Sequence, residues 1–101
     1  MVFGLPDSVF QKLLQVLQRC GDVRHACIFG SRARGDARAE SDIDMLLEGR
    51  SGQIRDFSHI QAALQDAAGV YKIDVLDAHD IPEKMKANIM AERIRFYSSA
   101  D

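Results

Sequence analysis

Phe29-Gly30-Ser31-Arg32-Ala33-Arg34-Gly35-Asp36-Ala37-Arg38-Ala39-Glu40-Ser41-Asp42-Ile43-Asp44-Met45-Leu46-Leu47 joins a glycine-serine turn to two carboxylates one residue apart. Strands flank the turn on both sides. Arg24 to Phe29 is short, apolar at its centre (Ala26, Cys27, Ile28, Phe29) and punctuated by Gly30, which reads as a buried strand. Asp42 to Glu48 alternates and then runs apolar through Met45, Leu46 and Leu47, which suits a second strand with one wet end. Strand side chains alternate faces, so Asp42 and Asp44 are expected on one side and Ile43 and Met45 on the other, against helices.

Working outward, Pro6-Asp7-Ser8 is a helix start, and Val9, Phe10, Leu13, Leu14 and Leu17 recur at spacings of three and four. This amphipathic helix is expected to end near Cys20-Gly21, with glycine in the left-handed conformation. Gly49-Arg50-Ser51-Gly52 breaks the second strand. Ile54, Phe57, Ile60, Ala63, Leu64 and Ala67 mark a second long helix capped by Gly69, and a third strand is expected from Val70 to Leu76. Asp80-Ile81-Pro82-Glu83 has a capping-box pattern ahead of a third helix through Met85 and Ile89 to about Arg93. Ile94, Phe96 and Tyr97 suit a short extended piece, and Ser98 to Asp101 are expected to fray. The order helix, strand, loop, strand, helix, strand, helix predicts an α/β (α+β) fold with a small sheet packed on helices.

A chain of 101 residues accommodates one domain, expected over 1–101, with no room for a separate substrate-binding domain. The 47% apolar and 28% charged content is that of an ordinary globular protein. No membrane span or secretory leader is apparent, and with only Cys20 and Cys27 to bridge, a cytosolic (cytoplasmic) setting with free thiols is expected. A net charge of −2 argues against a DNA-binding module, because duplex binding draws on an excess of Lys and Arg. Arg32, Arg34 and Arg38 are nevertheless clustered, which suits the phosphates of a nucleotide.

Side-by-side carboxylates repel each other unless a cation sits between them, so Asp42 and Asp44 point to a divalent metal, and hard oxygen ligands point to Mg²⁺. Asp74, within Lys72-Ile73-Asp74-Val75-Leu76, is a third carboxylate among apolar neighbours. If the second and third strands are adjacent, Asp74 completes a triad able to hold two Mg²⁺, and it is also the natural general base. Gly30 allows the backbone to approach a triphosphate, a following helix start offers N–H groups, and Ser31 adds a hydroxyl. Arg32 or Arg34 would neutralise charge on departing pyrophosphate. Sequence spacing does not say which of the two reaches inward.

Each feature has a structural alternative. An Asp-x-Asp is commonly the wet face of a strand, a Gly-Ser is commonly a turn, an arginine run a solvated face, and Asp74 an ion-pair partner for Arg24 or Lys72. His25, His59 and His79 lack metal-like spacing and read as structural, with Cys20 and Cys27 as core. The conjunction of strand, Gly-Ser, loop, Asp-x-Asp and a later strand carrying Asp74 favours a catalytic reading.

The order Gly30-Ser31, Asp42-Ile43-Asp44, Asp74 resembles the DNA polymerase β-like nucleotidyltransferase superfamily, and the fuller stretch from Gly30 to Asp44 resembles its minimal nucleotidyltransferase branch, over nearly the whole chain. The resemblance implies a polymerase β-like fold with a small mixed β-sheet. It also implies that Gly30 and Ser31 contact the triphosphate of ATP, that Asp42 and Asp44 bind Mg²⁺, and that Asp74 is the third carboxylate. A partner is implied too: minimal nucleotidyltransferases are commonly antitoxins encoded beside a HEPN-domain toxin, similar to enzymes that move AMP from ATP onto a tyrosine of that protein. Two other expectations remain beside this one, an antitoxin that acts by binding alone, and a transferase acting on a small molecule or an RNA end. Two positions depart from the family pattern, Arg93 where glycine is usual after Glu92, and Glu40 before Ser41.

Overall fold

The computed structural model describes residues 1–100, and Asp101, the end of the expected domain and of the expected frayed tail, lies outside them. The elements run α1 (Asp7–Arg19), β1 (Val23–Phe29), α2 (Ser31–Arg34), β2 (Ile43–Gly49), α3 (Phe57–Ala68), β3 (Ile73–Asp77), a 3-10 turn (Ala78–Asp80), α4 (Glu83–Glu92) and β4 (Ile94–Ser98). The strands form one mixed sheet in the order β3-β2-β1-β4, with β1 antiparallel to both β2 and β4 and β2 parallel to β3. The expected small sheet on helices is present, and the expected extended piece at Ile94 is the edge strand β4.

The two faces of the sheet are covered unequally. On one, α1 contributes Leu13 and Leu17 and α3 contributes Ile60, Leu64 and Ala68, packed on Ala26, Ile28, Ile43, Met45, Leu47, Ile73 and Val75. Full burial of each large aliphatic side chain contributes ~1.5–3 kcal/mol, so this layer dominates the stability of the fold. On the other face a smaller cluster of Cys27, Phe29 and Leu46 is covered by α4 through Ile89 alone among that helix's buried residues. Asp42, Asp44 and Asp74 share the alternation of this thinner face, while Ile43 and Met45, both fully buried, point to the thicker one.

Several local expectations are corrected. Helix α1 closes on Cys20, whose N–H donates to the Leu17 carbonyl, and Gly21 is not among the left-handed glycines. Ile54 lies before α3, yet it is buried in the main core, and its N–H donates to the Asp77 carboxylate at 2.9 Å. Asp77 also accepts from the His79 N–H at 2.9 Å, and so ties the segment after β2 to the end of β3. Gly69 caps α3 as expected, with φ 64°. Strand β3 starts three residues later than expected: Val70 is 97% exposed, and the Gln65 side chain holds the entry by donating to Tyr71 O and accepting from Ile73 N–H. The capping box does not form, since Pro82 occupies the N-cap of α4 and the Asp80 carboxylate accepts from Gln53 instead. Ser98 and Ser99 are not frayed, because β4 pairs through Ser98 and the Ser99 N–H donates to Arg24 O at 2.9 Å. No helix among the described residues is long and apolar enough to cross a membrane.

Candidate active site

Strand register puts three residues in one row across the sheet: Asp44 is paired with Phe29 of β1 on one side and with Asp74 of β3 on the other. Adjacent strands lie ~4.8 Å apart, so the two carboxylates start from neighbouring backbone positions on the same face. Asp42 stands just before β2, where the Ile43 N–H donates to Lys72 O at 2.8 Å and aligns the two strand starts. Its Oδ2 lies 3.9 Å from Lys72 Nζ in an exposed pair, which is worth little to stability. Asp74 forms no ion pair among the described residues, so the alternative of a partnership with Arg24 or Lys72 is not realised; Lys72 goes to Asp42 instead.

The cost of this arrangement falls on Asp44. Partial burial pushes its carboxyl above the usual carboxylate range, and the charges of Asp74 and then Asp42 push it further, with Arg34 and Lys72 opposing. A group in this position gains from a cation on the same face.

Gly30 is required by the backbone. It has φ 75° and ψ −154°, and a Cβ built there would overlap Asp44 Oδ2 and lie 3.3 Å from Asp44 Cγ. The turn is thereby pressed directly against the central carboxylate. The short helix α2 begins at Ser31, and the Gly30 carbonyl accepts from the N–H groups of Ala33 and Arg34 at 3.1 and 3.0 Å. Those leading the helix, at Ser31 and Arg32, have no intrahelical acceptor. Gly35, at φ 85°, closes α2 after one turn.

The arginines separate. Arg32 is 3% exposed and is committed to the loop and the N-terminal turn. Its guanidinium donates to Phe3 O at 2.9 Å, Ser41 O at 2.8 Å and Ala39 O at 3.3 Å, and its Cζ lies 5.4 Å from the centre of the Tyr71 ring. Its hydrogen bonds all go to backbone carbonyls, which hold it inside the loop. Arg34 is exposed, acts electrostatically on Asp44, and is aimed by two carboxylates: Nη1 donates to Glu92 at 3.0 Å and Nε to Asp36 at 3.2 Å. Those bonds, that to Glu92 first, raise the guanidinium pKa. Sequence spacing gives no sign of a role for Glu92 here, because 58 positions separate it from Arg34. The fold alone brings them together. Arg38 is exposed, and its N–H donates to Ser41 Oγ at 2.8 Å to shape the loop.

Among the described residues no three of His, Cys, Asp and Glu converge into a ready-made metal cage. Mg²⁺, however, is usually held by one or two carboxylates plus substrate phosphates, with waters retained. Oxygen donors from Asp42, Asp44 and Asp74 on one face, beside a turn that a triphosphate can approach, fit that mode. Of the histidines, His25 Nδ1 lies 3.1 Å from Ser98 Oγ, and His79 is in the 3-10 turn. Cys27 is buried in the sheet, and burial raises its thiol pKa.

The sequence model described as "Polymerase beta, Nucleotidyltransferase" matches residues 11–101. A proposed protein adenylyltransferase of Methanocaldococcus jannaschii is 32% identical over 89 residues, which cover 87% of this chain and 94% of that protein. A solved structure of a proposed minimal nucleotidyltransferase superposes with a TM-score of 0.64 at 26% identity, covering 93% of this chain and 95% of its own. A crystal structure of a toxin–antitoxin with AMP-PNP superposes with a TM-score of 0.70 over 94% of this chain and 75% of its own, and at 16% identity the shared property is the fold.

Proposed function

Because this chain belongs to the polymerase β nucleotidyltransferase family, and is an enzyme of that type, we propose that it transfers AMP from ATP to a tyrosine hydroxyl of a HEPN-type toxin partner, and so acts as the antitoxin. The observation that carries the reading is the row of Phe29, Asp44 and Asp74, which sets the Gly30 turn directly against the first of two neighbouring carboxylates. The choice of AMP and of a protein acceptor is supported by the Methanocaldococcus relative. The choice of a toxin is supported by the toxin–antitoxin structures that share the fold.

In the reaction, the Gly30-Ser31 turn and Ser31 Oγ hold the triphosphate against Asp44. Asp74, exposed on the edge strand, accepts the proton of the tyrosine hydroxyl. The hydroxyl oxygen then forms a bond to the α-phosphorus as the bond to pyrophosphate breaks, and Arg34 stabilises the charge that leaves with the pyrophosphate. Mg²⁺ held by Asp42, Asp44 and Asp74 would neutralise the phosphates and lower the pKa of the attacking hydroxyl. Incubation with labelled ATP, Mg²⁺ and the product of the adjacent gene is expected to label that protein, and Asp44→Asn to reduce labelling by at least about 10²–10³-fold. No transfer with any nucleoside triphosphate or partner overturns the reading.

An antitoxin acting by binding alone is the alternative that the same carboxylates test. Full neutralisation of the toxin by an Asp42→Ala/Asp44→Ala variant would establish it.

A further inference from the structure

Between α4 and the Gly30 turn lies a cleft of about 190 Å³. Phe29 and Ile89, both buried, and Met85 form its apolar lining, while Lys84, Asn88 and Glu92 supply polar groups. Met85 is 38% exposed and belongs to neither core cluster.

We infer that this cleft seats the adenine base of the nucleotide, with the Asn88 amide reading the base edge; this rests on the nucleotidyl-transfer reading above. Gly30 belongs both to the cleft and to the turn that faces Asp44, so an occupant of the cleft is continuous with a triphosphate on the turn. Sites that enclose a whole small molecule run to about 300–1,000 Å³, so this cleft takes a planar ring and leaves sugar and phosphates outside. Its chemistry suits a purine: a thioether and two apolar side chains for the ring faces, and an amide that both donates and accepts. That paired pattern is the one with which asparagine recognises adenine. The acceptor side lies elsewhere, because Asp74 is on the edge strand β3, separated by β2 from the strand that carries Phe29. Glu92 lines the cleft and binds Arg34, so the base site and the arginine of the triphosphate site share a residue.

The test is calorimetric binding to the full chain, with Mg²⁺, of a non-hydrolysable ATP analogue, the corresponding GTP analogue and inorganic tripolyphosphate. Wild type is expected to prefer the ATP analogue over both others. Asn88→Leu and Met85→Ala, both at exposed helix positions, are each expected to weaken the ATP analogue about tenfold and to leave tripolyphosphate within about twofold. Asn88→Leu is also expected to erase the preference over GTP. Equal binding of ATP analogue and tripolyphosphate by wild type, or equal weakening of both by the variants, overturns the base site and leaves the transfer reading intact. Binding of none of the three overturns both.

Discussion

Substituting Arg32 by alanine is expected to damage the fold, whereas substituting Arg34 by alanine is expected to damage only the reaction. The guanidinium of Arg32 makes two short bonds, 2.9 Å to Phe3 O and 2.8 Å to Ser41 O, and two longer ones of 3.3 Å to Ala39 O and Ser41 O. Hydrogen bonds to charged groups contribute ~1.5–3 kcal/mol each, and the ring contact with Tyr71 adds ~0.5–1 kcal/mol. Counting only the short bonds, and allowing water to reach carbonyls that are partly exposed, the loss is about 3 kcal/mol. For a domain of this size each kcal/mol moves the midpoint by roughly 4–8 °C, so the melting temperature should fall by about 12–24 °C. That is a large part of a stability of about 5–15 kcal/mol. Thermal melts by circular dichroism measure it. Arg34→Ala should melt close to wild type and lose about 10²–10³-fold in transfer rate. An Arg32→Ala protein that melts within about 4 °C of wild type yet no longer transfers would refute the assignment and put Arg32 on the phosphates.

Gly30→Ala should lose transfer activity and about 1–2 kcal/mol of stability, because the new methyl overlaps the Asp44 carboxylate and the backbone sits at φ 75°; activity assays and melts on the same sample show both. Asp44 has a raised carboxyl pKa, so the folded chain holds that proton more tightly than the unfolded chain. Its contribution is therefore most favourable at pH below the unfolded carboxyl pKa and diminishes as pH rises through the raised folded value. At neutral pH, Asp44→Asn should melt higher than wild type without Mg²⁺, and added Mg²⁺ should narrow the difference; a variant that melts lower contradicts the electrostatic account. Asp77→Ala leaves the buried Ile54 N–H without its acceptor and should lower the midpoint by about 10 °C, read in the same melts.

Periodicity is a local signal, and the elements that depend on it, α1 and α3 with their buried Leu13, Leu17 and Leu64, are legible in the order of residues alone. So is the split of Asp44 from Ile43 and Met45, which follows from strand alternation. What cannot be read this way depends on atoms from distant segments. Arg32 looks like any arginine of a basic loop, and its burial follows from carbonyls at Phe3, Ala39 and Ser41 that only the folded loop presents. Asp80 has the spacing of a helix cap, but its carboxylate goes to Gln53. Val70 is apolar and next to a strand, yet it stays exposed because Tyr71 and Ile73 are held by Gln65 and the strand begins beyond it. The neighbourhood of Asp44 and Asp74 is conditional on β2 and β3 being adjacent, and the parallel register supplies that condition.

The row Phe29, Asp44, Asp74 has a consequence for how such a site can vary. The interval between the backbone positions that carry its two carboxylates is a rung of the hydrogen-bond ladder, a length fixed by peptide geometry and common to every sheet. Substitutions in the helices behind the sheet can loosen the protein without stretching that rung. A slip of β3 by one residue would turn Asp74 to the opposite face, and a slip by two would carry it past Asp44. The spacing therefore varies in steps rather than by degrees, and fine adjustment is left to the loop and to α4.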